Sequence, residues 1–336
     1  MEKRYDIYAV GNALVDTEIE VDDAFLESMS IDKGMMTLVD QQRQHELVAA
    51  LDNHGKIHRR ASGGSACNTV VGACYFGASA YYACKVADDD TGAFFVHDLS
   101  AAGVDTNVAG SRPAGISGKC LVMVTPDAER TMNTFLGISE TVSPDELDED
   151  VIRQSRYAYI EGYLVSSDSA RSAAIRLREL ATQHGVKTAL TLSDPAMVKF
   201  FREGLVEMIG DGVDLLFCNE EEALTFTGTD SLDDALEQLM EVAGAIVVTL
   251  GARGALLWDG NKRHQVAPVA VKAVDTNGAG DMFAGAFLYA LSKGHSFPRA
   301  GALASAASAQ VVSDFGPRLA PEAHASIRDS VLGEKA

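Results

Sequence analysis

The chain has 336 residues, 47% of them hydrophobic and 23% charged, and a formal net charge of −20 at pH 7. That length suits one large α/β body with or without a small appendage, and the balance is that of a globular enzyme. The acidity argues against nucleic-acid and anionic-membrane partners, and no apolar run approaches the ~20 residues a membrane helix needs.

The start, Met1-Glu2-Lys3-Arg4-Tyr5-Asp6, is charged and runs straight into a strand at Ile7–Val10, so no secretory leader is expected. Glu18–Val21 alternates polar and apolar residues and reads as a strand with one solvated face. A helical turn over Phe25–Met29 and an amphipathic helix over Gln41–Leu51 follow; His54–Arg60 is basic and expected to be exposed. A helix over Asn68–Phe76 leads to a strand over Ala80–Val86, and Asp88-Asp89-Asp90-Thr91-Gly92 caps a helix over Ala93–Ala102. Lys119–Val124 and Arg130–Phe135 read as a hairpin joined at Pro126-Asp127.

From Tyr157 the period alternates. Strands over Ala158–Ile160, Thr188–Thr191, Leu215–Cys218 and Ala245–Thr249 are interleaved with helices over Ala170–His184 and Leu232–Val242. That order predicts a parallel sheet with helices on both faces. Ala255–Trp258 and His264–Pro268 read as a late hairpin, and Ala300–Ser313 as a small-residue helix. Five cysteines, Cys67, Cys74, Cys84, Cys120 and Cys218, form no CxxC pair and read as reduced thiols of a cytoplasmic protein.

Two stretches carry chemistry. Asp275-Thr276-Asn277-Gly278-Ala279-Gly280-Asp281 is a Gly-Ala-Gly turn opening into an apolar helix, with a carboxylate at the junction. Backbone N–H groups at such a helix start can hold an anion, and Asp281 can accept a proton from a hydroxyl attacking phosphorus. The plain alternative is a glycine turn capping a buried helix. Gly63-Gly64-Ser65-Ala66-Cys67-Asn68-Thr69 is a second such turn, with Asn68 offering a donor and an acceptor to a vicinal diol. Its plain alternative is a helix cap with an ordinary helical Asn.

Together, GGSxxN followed much later by DTxGAGD resembles the two signatures of the PfkB/ribokinase family of carbohydrate and nucleoside kinases. Asn219-Glu220-Glu221-Glu222 resembles that family's NxxE motif, and Thr249-Leu250-Gly251-Ala252-Arg253-Gly254 its TxGxxG nucleotide segment. Gly11-Asn12-Ala13-Leu14-Val15-Asp16, Tyr159–Leu164 and Phe217–Glu220 are most similar to the adenosine kinase branch. Ala13 departs from it, as do Met35 and Met36 and the run Thr134-Phe135-Leu136-Gly137.

The resemblance implies a three-layer, doubly wound, mainly parallel sheet of ribokinase-like type, with a small β-sheet lid. Residues 1–16, 40–110 and 140–336 would form the large body, and 17–39 with 111–139 the lid. It implies an ATP-dependent kinase acting on the primary hydroxyl of a ribose-containing small molecule, adenosine first, with another sugar or nucleoside such as ribose or inosine as the alternative. Asp281 would be the base, and Gly278, Ala279 and Gly280 the anion hole. Asn12, Asp16, Gly64 and Asn68 would grip substrate hydroxyls, and Arg130 would neutralise phosphates from the lid. Asn219, Thr249, Gly251, Gly254 and Asn277 would serve the nucleotide, and Glu222 would organise Mg²⁺ through water. Asp275 with Thr276 would offer oxygens to a monovalent cation such as K⁺. Monomer and homodimer both stay open. A dinucleotide-dependent oxidoreductase is disfavoured, because Gly11-Asn12-Ala13-Leu14 lacks GxGxxG. A non-catalytic relative should have lost the base, which Asp281 retains.

Overall fold

A computed structural model describes residues 3–51, 56–127 and 129–333. Its larger sheet has nine strands, in the order Arg263–Val266, Ala255–Trp258, Ala243–Thr249, Val213–Asn219, Lys187–Thr191, Ser155–Ile160, Tyr5–Val10, Ala80–Ala83 and Val104–Thr106. All pairings are parallel except the two made by Ala255–Trp258, which form the late hairpin.

Both faces of this sheet are covered, so its strands are apolar throughout rather than alternating. Within Tyr5–Val10, Ile7 and Ala9 enter one core, while Tyr8 and Val10 enter the other. The helices Ser65–Phe76, Ala279–Ser292 and Phe297–Val312 line the first core; Asp168–Gln183, Pro195–Ile209 and Leu232–Leu239 line the second. This is the doubly wound, three-layer α/β architecture expected. The helix Pro195–Ile209 has no counterpart among the expected elements, although Met197, Val198, Leu205, Met208 and Ile209 recur at helical spacing and are its buried face. Its backbone breaks at Phe201, and its start is marked only by Asp194 capping the Ala196 N–H and by Pro195.

The smaller sheet has five strands, in the order Met36–Leu38, Arg130–Phe135, Gly118–Val124, Leu14–Glu20 and Lys56–Gly63. The hairpin at Pro126-Asp127 pairs antiparallel from Lys119 opposite Phe135 to Val124 opposite Arg130. The expected two-segment lid needs correction. Lys56–Gly63, placed with the large body, pairs antiparallel with Leu14–Glu20, and the small sheet begins at Leu14 rather than Thr17. Lys56–Gly63 is an edge strand, and its sequence Lys-Ile-His-Arg-Arg-Ala-Ser-Gly has no apolar alternation to announce it. Of the basic stretch His54–Arg60, His54, Gly55 and the side chains of residues 56–59 lie outside what is described; Arg60 is exposed.

One contact sets the spacing of the site. The helices Ser65–Phe76 and Ala279–Ser292 pack through small residues, and a side chain at Gly285 would collide with the Thr69 carbonyl. Backbones this close bring the two glycine turns that begin these helices side by side.

Candidate active site

A cavity of about 760 Å³ lies between the C-terminal ends of the parallel strands and the underside of the small sheet. That is where open α/β sheets bind ligands, and the size suits a small molecule with a nucleotide's phosphates.

The two glycine turns meet there. Ser65 Oγ donates to Asp281 Oδ1 at 2.6 Å, and Asn68 Nδ2 donates to Asp281 Oδ2 at 3.0 Å. Burial raises the Asp281 carboxyl above its ordinary value; the two hydrogen bonds and the Arg318 charge oppose this. Gly278 caps the helix in a left-handed conformation, φ +72°, packed on Pro317. A Cβ at Gly280 would meet nothing within 4 Å, so the turn presents bare backbone to the cavity. Gly278, Gly280 and Asn277 line the cavity, whereas Ala279, between them in the chain, does not.

On the acceptor side, Gly64 adopts φ +97° and packs on the Asn12 carbonyl, while Gly63 lies against the Asp16 carboxylate. Asn12, Asp16, Gly64 and Asn68 all line the cavity. Burial pushes Asp16 up to about 7, opposed by Arg318 and Arg130 and assisted by Glu18 and Asp281.

Glu161, to which the sequence reading gave no role, organises this corner. It is 1% exposed. Its Oε2 accepts from the Ala66 N–H at 2.8 Å, and its Oε1 accepts from the backbone and side chain of Asn12 at 3.3 and 3.4 Å. Gly11 and Ala66 leave just enough room for it. Burial pushes Glu161 up to about 7, so the folded protein binds its proton more tightly than the unfolded chain. Stability from this group is therefore full below pH ~4.3 and is lost as pH rises through about 7. Glu161→Gln removes the titration. Urea unfolding should show the variant gaining on the parent by up to roughly 1.4 kcal/mol per pH unit across that window. A pH-independent difference contradicts the assignment.

At the other end, Asn219 and Glu222 form a reciprocal capping box that opens the helix Glu220–Thr227. Glu222 is 4% exposed, faces the cavity and is pushed up to about 7 by burial. It is therefore not part of a solvated acidic helix start; Glu220 pairs with Arg253, and Glu221 faces solvent. Thr249 lines the cavity. Gly251 and Gly254 shape the turn into the strand Ala255–Trp258, with Gly254 at φ +87° against the Val266 carbonyl, and do not line the cavity.

Arg130 and Asp275 meet each other. The Arg130 guanidinium pairs with Asp275 and sits 3.7 Å from Glu18, its side chain 7% exposed. The Asp275 carboxylate also accepts from the N–H groups of Asn277 at 2.9 Å and Gly316 at 2.7 Å. A carboxylate so surrounded by donors is a poor ligand for a monovalent cation. Among the described residues, no group of three His, Cys, Asp or Glu side chains could hold a metal directly. A buried lone Glu222 fits Mg²⁺ held mainly by phosphates and water.

All five cysteines are free, and burial pushes the Cys67 thiol up to about 11, in keeping with an inert small core residue. No described helix is long and apolar enough to cross a membrane.

A glycine-turn helix start with a carboxylate facing a buried polar corner, on a doubly wound sheet, is an arrangement suited to phosphoryl transfer to an alcohol. Comparison with known proteins agrees. The profile of the pfkB family carbohydrate kinases matches residues 26–323, and the chain belongs to that family. It is 27% identical to the adenosine kinase of Saccharomyces cerevisiae over 333 residues, 93% of this chain and 96% of that protein. It is 26% identical to a ribokinase of Haemophilus influenzae, covering 78% of this chain and 84% of the relative. The crystal structure of adenosine kinase from Sinorhizobium meliloti superposes with a TM-score of 0.89 at 36% identity, covering 97% of this chain and 99% of that one. A probable sugar kinase from Rhizobium etli CFN 42 gives 0.90 at 34% identity, covering 98% and 99%.

Proposed function

We propose that this chain is an ATP-dependent nucleoside kinase that phosphorylates the 5′-hydroxyl of adenosine to give AMP, in the cytoplasm. The observation that carries the kinase mechanism is the contact of Asp281 with Ser65 and Asn68, which puts a proton acceptor beside the hydroxyl-gripping turn. The attacking hydroxyl gives its proton to Asp281, the Gly278–Gly280 backbone holds the transferring phosphoryl group, and the small sheet excludes water. Asp16, Asn12, Gly64 and Asn68 orient the ribose. Asn219, Thr249 and Asn277 line the cavity and would serve the nucleotide's phosphates, and Glu222 would hold Mg²⁺ through its water shell. Bound there, Mg²⁺ supplies charge neutralisation on the phosphates. Arg130 must leave Asp275 to meet a phosphate.

The choice of a nucleoside over a free sugar is supported by the small sheet's underside. Leu14, Met36, Leu38, Cys120, Val122 and Met132 face the cavity and form an apolar wall. Such a wall suits a flat heteroaromatic base and offers nothing to a further hydroxyl. Met35 faces away, 57% exposed. The ribokinase likeness keeps ribose and inosine as the second reading.

The test is a panel of adenosine, inosine, ribose and fructose with MgATP and coupled ADP detection. Adenosine should give the highest kcat/KM. Turnover of ribose without turnover of adenosine removes the nucleoside assignment.

A further inference from the structure

Arg318 lies in a coil between the last two long helices and belongs to none of the motifs. Its side chain is 5% exposed, which is costly for a guanidinium unless its donors are used. They are used on the acceptor corner. Nε donates to Asn68 Oδ1 at 2.8 Å, Nη1 to Ser62 Oγ at 3.1 Å, and Nη2 to Cys67 Sγ at 3.2 Å. Asp98, 3.5 Å from Nη1, also accepts from the Ser62 N–H at 2.9 Å and its hydroxyl at 2.6 Å.

The first of these contacts settles the orientation of Asn68. Arginine has donors and no acceptor, so the amide atom facing it must be the oxygen. The NH₂ end is then forced toward Asp281, where it donates at 3.0 Å. Turned over, the amide would set its oxygen against the Asp281 carboxylate and its NH₂ against the guanidinium. Both contacts would be repulsive.

We infer that Arg318 is a positioning residue of this kinase, locking Asn68 in the one orientation that steadies Asp281 and supplying the fixed positive charge of the acceptor corner. The inference builds on the reading of Asp281 as base. Its electrostatic side has the same sign at two groups, since the Arg318 charge lowers both Asp281 and Asp16 against the effect of burial. The other titratable groups facing it are Asp98 on the helix Asp90–Ala101, Cys67 on Ser65–Phe76 and Tyr82 on Ala80–Ala83. Glu18 and Arg130 act on Asp16 from the small sheet.

The experiment compares Arg318→Gln and Arg318→Lys with the parent, using adenosine or whichever acceptor the panel selects. It measures kcat and KM across pH, with thermal melting as a check on folding. Arg318→Gln should lower kcat/KM by roughly 10- to 100-fold, mostly in kcat, and move the acid limb of its pH profile to higher pH. Arg318→Lys keeps the charge and loses the fork. Its acid limb should stay in place while kcat falls by an intermediate amount. A role confined to folding would lower melting temperature and leave the limb unmoved in the Gln variant. That result, with Asp281→Asn inactive, overturns the inference alone. An active Asp281→Asn overturns the base assignment and this inference with it. Should Arg318→Gln fail to fold, the Lys variant decides: unchanged kcat overturns the inference.

Discussion

Asp281→Asn should lower kcat roughly 10²- to 10⁴-fold while leaving acceptor KM within a small factor, because an amide keeps the shape but takes no proton. The contacts on the carboxylate make the substitution clean. With its oxygen turned to accept from Asn68, the amide can donate its NH₂ to Ser65 Oγ, so only the Ser65 hydroxyl must rotate. Single-turnover phosphoryl transfer, followed alongside equilibrium binding of adenosine, separates lost chemistry from lost binding. Turnover within several-fold of the parent removes Asp281 from the role of base. The pH dependence carries a second check. Burial holds the carboxyl above its ordinary value, so the active, ionised fraction should grow as pH rises, giving the parent an acid limb that the variant lacks.

Asp16→Asn should act on binding instead. A buried carboxylate accepting from ribose hydroxyls is worth about 1.5–3 kcal/mol per bond, so acceptor KM should rise roughly 10- to 100-fold with a smaller change in kcat. Asp16 titrates at about 7, and the ionised form is the better acceptor, so the parent's KM should fall as pH rises through that value and the variant's should not. Steady-state kinetics at saturating MgATP, from pH 6 to pH 8.5, read both effects. Equal KM in parent and variant across that range sinks the assignment.

The kinase class was legible in the sequence because its chemistry sits in backbone-defined turns. Glycines at Gly64 and Gly278 are required by left-handed backbone, and Gly280 by open approach, so spacing alone carries the signal. The doubly wound sheet was legible because both of its faces are buried and its strands are apolar runs. The small sheet was read less completely, since Lys56–Gly63 is a basic edge strand whose place is set by its partner rather than by its own pattern. Glu161 and Arg318 were not assigned, for a related reason. Each is a single charged residue whose partners lie far away in the chain, and nothing local distinguishes a buried charge from an exposed one. Arg130 and Asp275 were read separately, as a phosphate ligand and a cation ligand. Their mutual ion pair is a tertiary fact that no local pattern encodes.

The close approach at Gly285 also governs when the enzyme can first work. Asn12, Asp16, Gly64 and Asn68 precede the base, the glycine turn and Arg318 by more than 200 residues of chain. Half a pocket is therefore all that exists until the helix Ala279–Ser292 docks on Ser65–Phe76. Catalysis thereby becomes a report on completed assembly, and a truncated product should be inert rather than wasteful.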